Sequence, residues 1–489
     1  MSYTIKGTSS RWEVIVGLEV HCQLKTNSKL FSRSSAAFGA EPNSQVSFFD
    51  CAMPGQLPTL NENSVLQAIK TGIGLNAEFN RRSVFDRKNY FYPDLPQGYQ
   101  ITQFFQPIVR SGWLEIDCDS GEIKKIRIHE AHLEQDAGKS IHDQQPGATL
   151  IDLNRAGVTL LEIVSEPDMR SPAEAMEYLR KLRAMVRALD TCDGNMDEGS
   201  MRCDANVSVR RVGSDGYGTR CEIKNINSIK NVGSAIDYEA VRQVKILESG
   251  GVVQQETRRF EAETGITRTL RTKENAIDYR YFPEPDLAPL IISDEFIEWA
   301  KSTMPELPED RKKRYIGDYS LSDYDARVLT LSSDIADYFD KLAVRHNPKL
   351  AANWLTTELL GRLNKLSIDM DKNPIDVDKF SELLDLVENG TISGKIAKDV
   401  LDTMLETNES AGSIVEKGGM RQITSSDEIN GMIDRVMEEN KKQVEQYRAG
   451  NERIFGFFVG QLMKLGGGRI NPQLANELLR EKLKVDGLS

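Results

Sequence analysis

Five short segments of this chain alternate between apolar and polar residues, and this alternation restricts the fold the chain can adopt. They are V-G-L-E-V-H-C (16–22), I-R-I-H-E-A-H-L-E (126–134), L-L-E-I-V-S-E (160–166), C-D-A-N-V-S-V (203–209) and C-E-I-K (221–224). Successive side chains of a strand point to opposite faces, so each segment has one apolar face and one polar face. An antiparallel sheet with one face on a core and the other lining a cleft fits this pattern.

The alternation assigns particular polar side chains to that cleft. Within 126–134 it places Ile126, Ile128, Glu130, His132 and Glu134 on one face, opposite Arg127, His129, Ala131 and Leu133. In the other segments it pairs Glu19 with His21, Glu162 with Glu166, Asp204 with Asn206, and Glu222 with Lys224. Because unpaired charges are costly to bury, each polar face is either a solvated strand end or part of a functional cleft. Oxygen ligands with an occasional imidazole suit Mg²⁺ or Mn²⁺ better than zinc, and such a cleft usually handles phosphates.

Bulk properties set the class of protein. A chain of 489 residues is too long for one hydrophobic core, so two to four domains are expected. The N-terminus lacks the apolar segment of a signal peptide, and the six cysteines are scattered without a C-x-x-C pair, which favours a reducing cytosol. The net charge of −12 argues against a protein that coats nucleic acid broadly, but it leaves room for a local basic surface.

Two helices, a short strand and an ordered loop are predicted between the alternating segments. A helix is expected over 61–75 with Asn61 as N-cap, and a second follows the capping box at Ser171. A short strand is expected near Val46 to Phe49. The segment from Phe85 to Gln106 contains prolines, a glycine and many aromatics, and is interpreted as an ordered loop. It is either structural or a cleft wall whose rings and amides contact a nucleotide, with Lys88 supplying a positive charge.

Neither G-x-x-x-x-G-K-[ST] nor G-x-G-x-x-G occurs in the chain, so any ATP site must belong to another kind of fold. Longer motifs extend from the first strand almost to the C-terminus: G-L-E-V-H (17–21), F-G-A-E-P-N-S (38–44), D-R-K-N-Y-F-Y-P-D (86–94), E-Q-D-A-G-K (134–139), D-L-N-R-A-G (152–157), L-E-I-V-S-E-P-D (161–168), E-G-S-M-R-C-D-A-N (198–206), E-I-K-N-I-N-S (222–228), Q-E-T-R-R-F (255–260) and D-Y-R-Y-F-P-E-P-D (278–286). Together they resemble the B subunit of aspartyl/glutamyl-tRNA amidotransferase.

This resemblance implies a ligase that works in two steps on a misacylated tRNA. ATP phosphorylates the side-chain carboxylate of the amino acid on Glu-tRNA(Gln) or Asp-tRNA(Asn), and ammonia then displaces phosphate to give Gln-tRNA or Asn-tRNA. In the family, ammonia comes from the amidase (glutaminase), which is the A subunit, while a small C subunit completes a cytoplasmic heterotrimer that has no membrane partner. Phosphoryl transfer requires Mg²⁺ and carboxylates to hold it, which agrees with the acidic cleft.

The resemblance also implies roles for individual residues. Four residues match the family's metal motifs and a histidine lies beside them: Glu19, His21, Glu134, Glu162 and His132. Lys88, Tyr90 and Asp204 match the catalytic cleft, with Lys88 on substrate or phosphate and Asp204 either a metal ligand or a group that orients ammonia. Asn89, Asn206 and Lys224 are expected to bind substrate. The remaining histidines (129, 142 and 346) are expected to be structural.

The chain departs from the family pattern at two places. Many relatives carry C-x-C and C-x-x-C within the region that matches 31–51, a signature of structural zinc. Here those positions are Ser32-Arg33-Ser34 and Ser47-Phe48-Phe49-Asp50, so no structural zinc is predicted. The second departure is Gln135, where relatives often have an acidic residue, and it leaves the number of bound metal ions open.

The predicted fold class is α+β, in three parts. An antiparallel-sheet catalytic cradle covers 1–293, a helical domain covers 294–410, and a small helical tail covers 411–489, where a second capping box begins at Ser425. The tail has 12 Lys and Arg against 11 Asp and Glu, in contrast to the acidic whole. Four of its cations are expected either to meet tRNA phosphates or to form a solvated helix face: Lys441, Lys442, Arg448 and Arg453.

Two alternatives stay open from sequence. A catalytically silent tRNA-binding scaffold would use the same fold without kinase activity, although a scaffold has no need of a crowded acidic face. A metal-dependent phosphohydrolase would use the same cleft to activate water. The sequence also leaves open whether Glu-tRNA, Asp-tRNA or both are substrates.

Overall fold

The structure is a computed structural model that describes residues 3–272, 278–423, 425–467 and 469–484. The chain divides into two compact units, Met1–Pro308 and Glu309–Ser489. The first unit contains the strands and the second is helical. This α+β architecture, a sheet region followed by helices, confirms the predicted fold class.

A large sheet dominates the first unit. The strands are β1 Ile5–Lys6, β2 Arg11–Gln23, β3 Glu78–Phe79, β4 Arg82–Asn89, β5 Tyr99–Gln106, β6 Val109–Asp117, β7 Ile123–Gln135, β8 Lys139–Ile141, β9 Leu150–Asp152, β10 Thr159–Ser165, β11 Met201–Arg211, β12 Cys221–Ile226, β13 Glu256–Glu261, β14 Ile266–Thr272, β15 Phe282–Pro283 and β16 Leu290–Ile291. The main path is β14-β13-β12-β11-β2-β10-β7-β5-β4-β15, and every strand pair described is antiparallel except β12–β13. Strands β8 and β9 form a separate hairpin.

Helices cover the apolar face of this sheet. They are α1 Glu62–Gly74, α2 Pro172–Ala188, α3 Ile229–Glu248 and α4 Asp294–Ser302. Their buried side chains join those of the strands in one core, and the alternation predicted for β2, β10 and β11 is confirmed because Leu18, Leu161 and Ala205 all lie in it. The predicted caps are also confirmed, since the side chains of Asn61 and Ser171 accept hydrogen bonds from the backbones of α1 and α2.

The predicted faces of β7 are wrong in one respect. Ile126 and Ile128 lie in the core with Ala131 and Leu133, rather than on the face of Glu130. The pairing of β7 with β10 shifts at His129, because Val164 is opposite Glu130 whereas Ser165 is opposite Ile128. A bulge of this kind inserts one residue and reverses the side-chain alternation beyond it. As a result, the apolar residues on both sides of His129 reach the same core.

Two other local predictions are corrected. Residues 46–49 form turns rather than a strand, with the Met53 amide donating to the Phe48 carbonyl. The segment 85–106 is mostly regular, because strands β4 and β5 pair as a hairpin and only residues 90–98 form the loop between them. The prolines and glycine that suggested an irregular segment lie in that loop.

The second unit contains helices α5 Pro308–Tyr319, α6 Asp323–Leu329, α7 Ser333–Ala343, α8 Pro348–Asn353, a π-helical turn Trp354–Leu359, α9 Leu360–Lys365, α10 Val377–Glu388, α11 Gly394–Thr407, α12 Ala411–Lys417, α13 Ser426–Glu439, α14 Lys441–Arg448, α15 Phe455–Leu465 and α16 Pro472–Leu483. Two hydrophobic clusters form its cores, one over 315–415 and one over 429–483. The capping box at Ser425 is confirmed. Within the described residues, no helix is both long and apolar enough to traverse a bilayer.

Candidate active site

The register of the sheet gathers the predicted residues into a row across its polar face. Glu162 of β10 lies opposite His21 of β2 on one side and His132 of β7 on the other. On the next strand beyond β7, Thr102 lies opposite Glu134, and on the strand beyond β2, Asp204 lies opposite Glu19. Residues separated by more than a hundred positions in sequence therefore become neighbours.

The centre of the row is a compact group of two imidazoles and two carboxylates, which we call the His–Glu cluster: His21, His132, Glu134 and Glu162. Nε2 of His21 lies 3.6 Å from Oε1 of Glu134 and 3.5 Å from Oε2 of Glu162. Nε2 of His132 lies 3.1 Å from the same Glu162 oxygen. One donor atom each from His21, Glu134 and Glu162 lies within 4.8 Å of the others, a spacing that suits shared coordination of one cation.

Electrostatics in the His–Glu cluster favour charged forms of all four groups. Burial opposes the effect, but the negative charge of Glu162 and its hydrogen bond raise the pKa of His21 to about 9. The pKa of His132 is likewise raised well above its usual value by Glu162 and neighbouring carboxylates, again against burial. The two imidazoles in turn lower the pKa of Glu162 well below its usual range, although burial acts in the other direction.

The charges of the His–Glu cluster determine whether it can bind a divalent cation. Burying two carboxylates requires compensating positive charge, and the two imidazoles, whose pKa values are raised, supply it when they are protonated. A divalent cation would supply the same charge, and each imidazole that coordinates it must first lose its proton. The oxygen-rich donor set with imidazole fits a divalent cation, and His21, Glu134 and Glu162 are the residues that would hold it.

A second polar group lies on the next strands of the row. Oxygens of Glu19, Asp204 and Glu222 lie within 4.8 Å of one another. The ammonium group of Lys224 is 2.6 Å from Oδ2 of Asp204 and 2.8 Å from Oε1 of Glu222. The two carboxylates raise the pKa of Lys224 although burial acts against this. In this structure Lys224 thus provides the positive charge of the second group.

Glu19 belongs to both groups through its neighbours. Nδ2 of Asn206 donates to Oε1 of Glu19 over 2.8 Å. Burial, with the charges of Glu162, Glu222 and Asp204, raises the pKa of Glu19 despite this hydrogen bond. A nearby cation would stabilise the ionised form of a carboxylate whose pKa is raised by like charges. Glu19 is therefore influenced by the carboxylates of both groups.

The residues predicted from 88–90 lie on β4 and at the start of the following loop. The ammonium group of Lys88 lies 5.1 Å from the ring centroid of Tyr279 and forms no ion pair with the described residues. Its charge contributes to lowering the pKa of Glu134, so it faces the His–Glu cluster. Burial raises the pKa of Tyr90, which keeps its hydroxyl protonated. The side-chain amide of Asn89 donates to the carbonyl oxygens of Tyr279 and Arg280.

Some residues of this face were not assigned roles from sequence. Glu222 joins Glu19 and Asp204 only through the register of β2, β11 and β12, which the sequence does not reveal. Tyr279 and Tyr281 flank the cleft beside Tyr90, and their alternation in D-Y-R-Y-F-P was the available signal. Gln135 is buried with its amide on Gln97, away from the His–Glu cluster.

The remaining histidines have structural partners. Nδ1 of His129 pairs with Glu166 over 3.0 Å, and Nδ1 of His142 lies 3.0 Å from the Thr149 hydroxyl. His346, buried in the helical unit, bonds to Ser381 and to Glu388. Glu388 also accepts the backbone amide at the start of α8, so this group stabilises a helix junction.

The segment for which the sequence predicts no structural zinc, 31–51, contributes to a buried ion pair. Nζ of Lys29 donates to Oδ2 of Asp50 over 3.0 Å, and both side chains are buried. The hydroxyl of Ser32 and the amide of Ser47 donate to the same oxygen. Ser32 and Ser47 therefore help to hold the buried carboxylate of Asp50.

Comparisons with known proteins identify the family of this chain. A family model described as the GatB/GatE catalytic domain matches residues 14–298, which is more than half of the chain, and a model described as a GatB domain matches residues 337–483. The chain belongs to the GatB/GatE family. The resemblance found in the sequence motifs is thereby confirmed.

Full-length relatives support the same assignment to the GatB/GatE family. The chain is 56% identical over 483 residues to the B subunit of aspartyl/glutamyl-tRNA(Asn/Gln) amidotransferase from Rickettsia canadensis, with 99% of this chain and 100% of the relative covered. Over 487 residues it is 54% identical to the protein of the same name from Acidiphilium cryptum, with both chains fully covered.

The four basic residues predicted for the tail lie at its surface. Lys441, Lys442 and Arg448 belong to α14, and Arg453 follows in a short 3₁₀ turn. All four side chains are exposed and none forms an ion pair with another described residue. Val444 of the same helix is buried in the last hydrophobic cluster.

Proposed function

We propose that this chain is the B subunit of a tRNA-dependent amidotransferase that converts Glu-tRNA(Gln), Asp-tRNA(Asn) or both into the amidated form. The γ-phosphoryl group of ATP is transferred to a side-chain carboxylate oxygen, which gives ADP and an acyl phosphate. Ammonia then attacks the acyl carbon, the carbon–nitrogen bond forms, phosphate leaves, and the nitrogen loses a proton. The observation that carries the proposal is the His–Glu cluster, in a chain similar over its whole length to proteins of that name.

Mg²⁺ is the proposed cofactor beside ATP, and its charge would neutralise phosphate oxygens during transfer. Glu19, His21, His132, Glu134 and Glu162 are the residues proposed to hold it. Glu134 and Glu162 are buried or nearly so, and a buried carboxylate holds a cation in one place. The strands that carry them are central in the sheet, so the donors sit on rigid backbone.

The remaining cleft residues are proposed to act on substrate. Lys88 has an ammonium group without an ion-pair partner among the described residues, so it is available to a phosphoryl oxygen. Tyr90, kept protonated by burial, donates a hydrogen bond to the acyl oxygen. Asp204 orients the attacking ammonia, and the ammonium group of Lys224, 2.6 Å from Oδ2 of Asp204, holds that carboxylate in place.

Two amides of the face complete the proposed substrate contacts. Asn206 is already bonded to Glu19 and positions that carboxylate toward the substrate. Asn89 acts from behind the cleft wall, because its amide group holds the backbone of Tyr279 and Arg280. Both roles are compatible with substrate binding through the groups that these amides orient.

The second unit is proposed to bind tRNA. We assign the catalytic cradle to 1–293, the helical domain to 294–410 and the tail to 411–489. The exposed cations of α14 and the following turn are proposed to contact phosphates of the tRNA. The partners proposed are an amidase, the A subunit, which releases ammonia from glutamine, and a small C subunit, in a cytoplasmic heterotrimer.

The decisive assay measures phosphate release by the complete complex. With both purified partners, ATP and glutamine, phosphate is expected only when Glu-tRNA(Gln) or Asp-tRNA(Asn) is present. Release without any aminoacyl-tRNA would favour a phosphohydrolase, and tRNA binding without release would favour a silent scaffold. Testing each misacylated tRNA separately also identifies the substrate.

Two variants connect that assay to the site. Glu134→Gln is expected to abolish phosphate release while tRNA binding stays within a few-fold of the wild type. Glu115→Gln is the matched control, since Glu115 lies on β6 of the same sheet and its carboxylate is 3.9 Å from the ammonium group of Lys125. Loss of tRNA binding in Glu134→Gln, with normal turnover per bound tRNA, would contradict the assignment.

A further inference from the structure

A continuous set of aromatic side chains borders the cleft on the side of β4 and β5. We call it the aromatic array: Tyr90, Tyr92, Phe104, Phe105, Tyr279 and Tyr281. Ring centroids follow one another at 6.2 Å from Tyr92 to Tyr90 and at 6.1 Å from Tyr90 to Tyr279. The array continues at 5.9 Å to Tyr281, which stacks on Phe104 at 3.8 Å with an interplanar angle of 7°.

The array is exposed at both ends, which is unusual for large apolar rings. Phe105 is 60% exposed, Phe104 48% and Tyr92 58%. Exposed apolar patches of this kind mark interaction sites more often than they mark ordinary surface. The array contains six rings joined in series by five contacts, which is a larger surface than one nucleotide base can stack on.

Buried polar groups of β4 hold the array in place. Oδ2 of Asp86, a fully buried residue, accepts the backbone amides of Phe104 and Phe105 over 2.9 and 3.0 Å. The amide of Asn89 fixes the carbonyls of Tyr279 and Arg280. Arg280 has a φ of +44°, in the left-handed region that is unfavourable for a non-glycine residue, so the turn is maintained against strain.

Positive charge accompanies the rings. Arg280 is exposed between Tyr279 and Tyr281 in sequence. The ammonium group of Lys88 lies 5.1 Å from the Tyr279 ring centroid, so the array begins where the catalytic cleft ends. Aromatic rings interleaved with cations form the surface that unpaired nucleotides use, through base stacking and phosphate contacts.

We infer that the aromatic array binds the unpaired 3′ end of the aminoacyl-tRNA by stacking its terminal bases. This inference rests on the proposed function. The reacting amino acid is esterified to the terminal ribose, so the terminal base must lie within one nucleoside of the cleft, where the array begins. The adenine of ATP, by contrast, is separated from the reacting γ-phosphorus by the ribose and two phosphates, and it would cover only one ring of the series.

The test uses the complete complex and steady-state kinetics for aminoacyl-tRNA and for ATP. Phe105→Ala is expected to raise KM for aminoacyl-tRNA about 5- to 150-fold, the range given by one base–aromatic stack of about 1–3 kcal/mol at tenfold per 1.4 kcal/mol. KM for ATP is expected to stay within about twofold. Phe105→Tyr keeps a ring at this position and should restore wild-type values.

The matched control is Tyr217→Ala, which removes a 55% exposed ring from another loop of the same unit. Equal KM for aminoacyl-tRNA in Phe105→Ala and Tyr217→Ala would overturn the inference, as would a rise confined to KM for ATP, which would assign the array to the nucleotide. If the wild-type complex turns over aminoacyl-tRNA and Phe105→Ala has the same KM for it, this inference is wrong while the proposed function stands. Absence of wild-type turnover with aminoacyl-tRNA would remove the proposed function and this inference with it.

Discussion

The buried ion pair of Lys29 and Asp50 gives a prediction whose size can be worked out from the structure. Both side chains are essentially inaccessible to solvent, and burial lowers the pKa of Lys29 even with Asp50 beside it. Asp50→Asn keeps the shape but removes the negative charge that faces the buried ammonium of Lys29, which otherwise donates to the neutral Leu153 carbonyl, 3.3 Å away. Removing one partner of a buried pair typically costs about 3–5 kcal/mol, and we expect that loss in the free energy of unfolding.

The matched control is a surface pair of the same unit. Lys25 pairs with Asp190, but these side chains are 48% and 77% exposed. Asp190→Asn should therefore lower the free energy of unfolding by less than about 1 kcal/mol. Urea denaturation at pH 7 compares the two variants with the wild type.

A double variant distinguishes two contributions to this loss of stability: the attraction between Lys29 and Asp50, and the cost of leaving the Lys29 charge buried without a partner. Lys29→Met with Asp50→Leu removes both charges, and replacing a buried pair by apolar residues is often neutral or stabilising. We expect the double variant to recover most of the stability that Asp50→Asn loses. The reasoning would be refuted if Asp50→Asn behaved like Asp190→Asn, or if the double variant were as unstable as the single one. The loop matters to the site because Phe31 packs at 5.3 Å against Phe85 of β4.

Three further predictions concern the cleft, the tail and a buried network. Glu162→Gln should lower Mg²⁺-dependent phosphate release by at least about 100-fold with tRNA affinity nearly unchanged; a normal rate at saturating Mg²⁺ would exclude Glu162 as a ligand. Lys442→Gln with Arg448→Gln should weaken tRNA binding and reduce the salt dependence, by about 0.9 in the slope of log K against log salt for each lost contact; an unchanged slope in filter binding would assign these side chains to solvent. Burial opposes the shift, but hydrogen bonds from Arg242 and its neighbours lower the pKa of the buried Glu239. Its stabilising contribution is therefore complete above the ordinary glutamate pKa of about 4.3 and is lost as pH falls through the lower folded-state value. The stability difference between wild type and Glu239→Gln should shrink in acid, and a difference that is the same at every pH would contradict this.

Local sequence signals predicted much of the first unit correctly. The alternation of β2, β10 and β11 identified both the core face and the cleft face, because a half-buried antiparallel strand must alternate. Serine and asparagine caps located helix starts at Asn61, Ser171 and Ser425 for an equally local reason, the unpaired amides of the first turn.

What the sequence did not predict depends on pairing between distant segments. The bulge at His129 is defined by the pairing of β7 with β10. The alternation of residues within β7 alone does not reveal it. Strands β4 and β5 resemble a loop in sequence because Pro93, Pro96 and Gly98 lie between them. Glu222 was predicted on the cleft face, but its proximity to Glu19 and Asp204 depends on the register of β12 against β11, which the segment itself does not reveal.

The central claim is that His21, Glu134 and Glu162 bind one divalent cation, and it can be tested by diffraction from the complex with Mn²⁺ in place of Mg²⁺. We expect an anomalous peak that places a Mn²⁺ ion within coordination distance of the His21 imidazole and of both carboxylates. That peak should be absent in Glu134→Gln. A complex that is active with Mn²⁺ but shows its ordered ions only elsewhere would contradict the account.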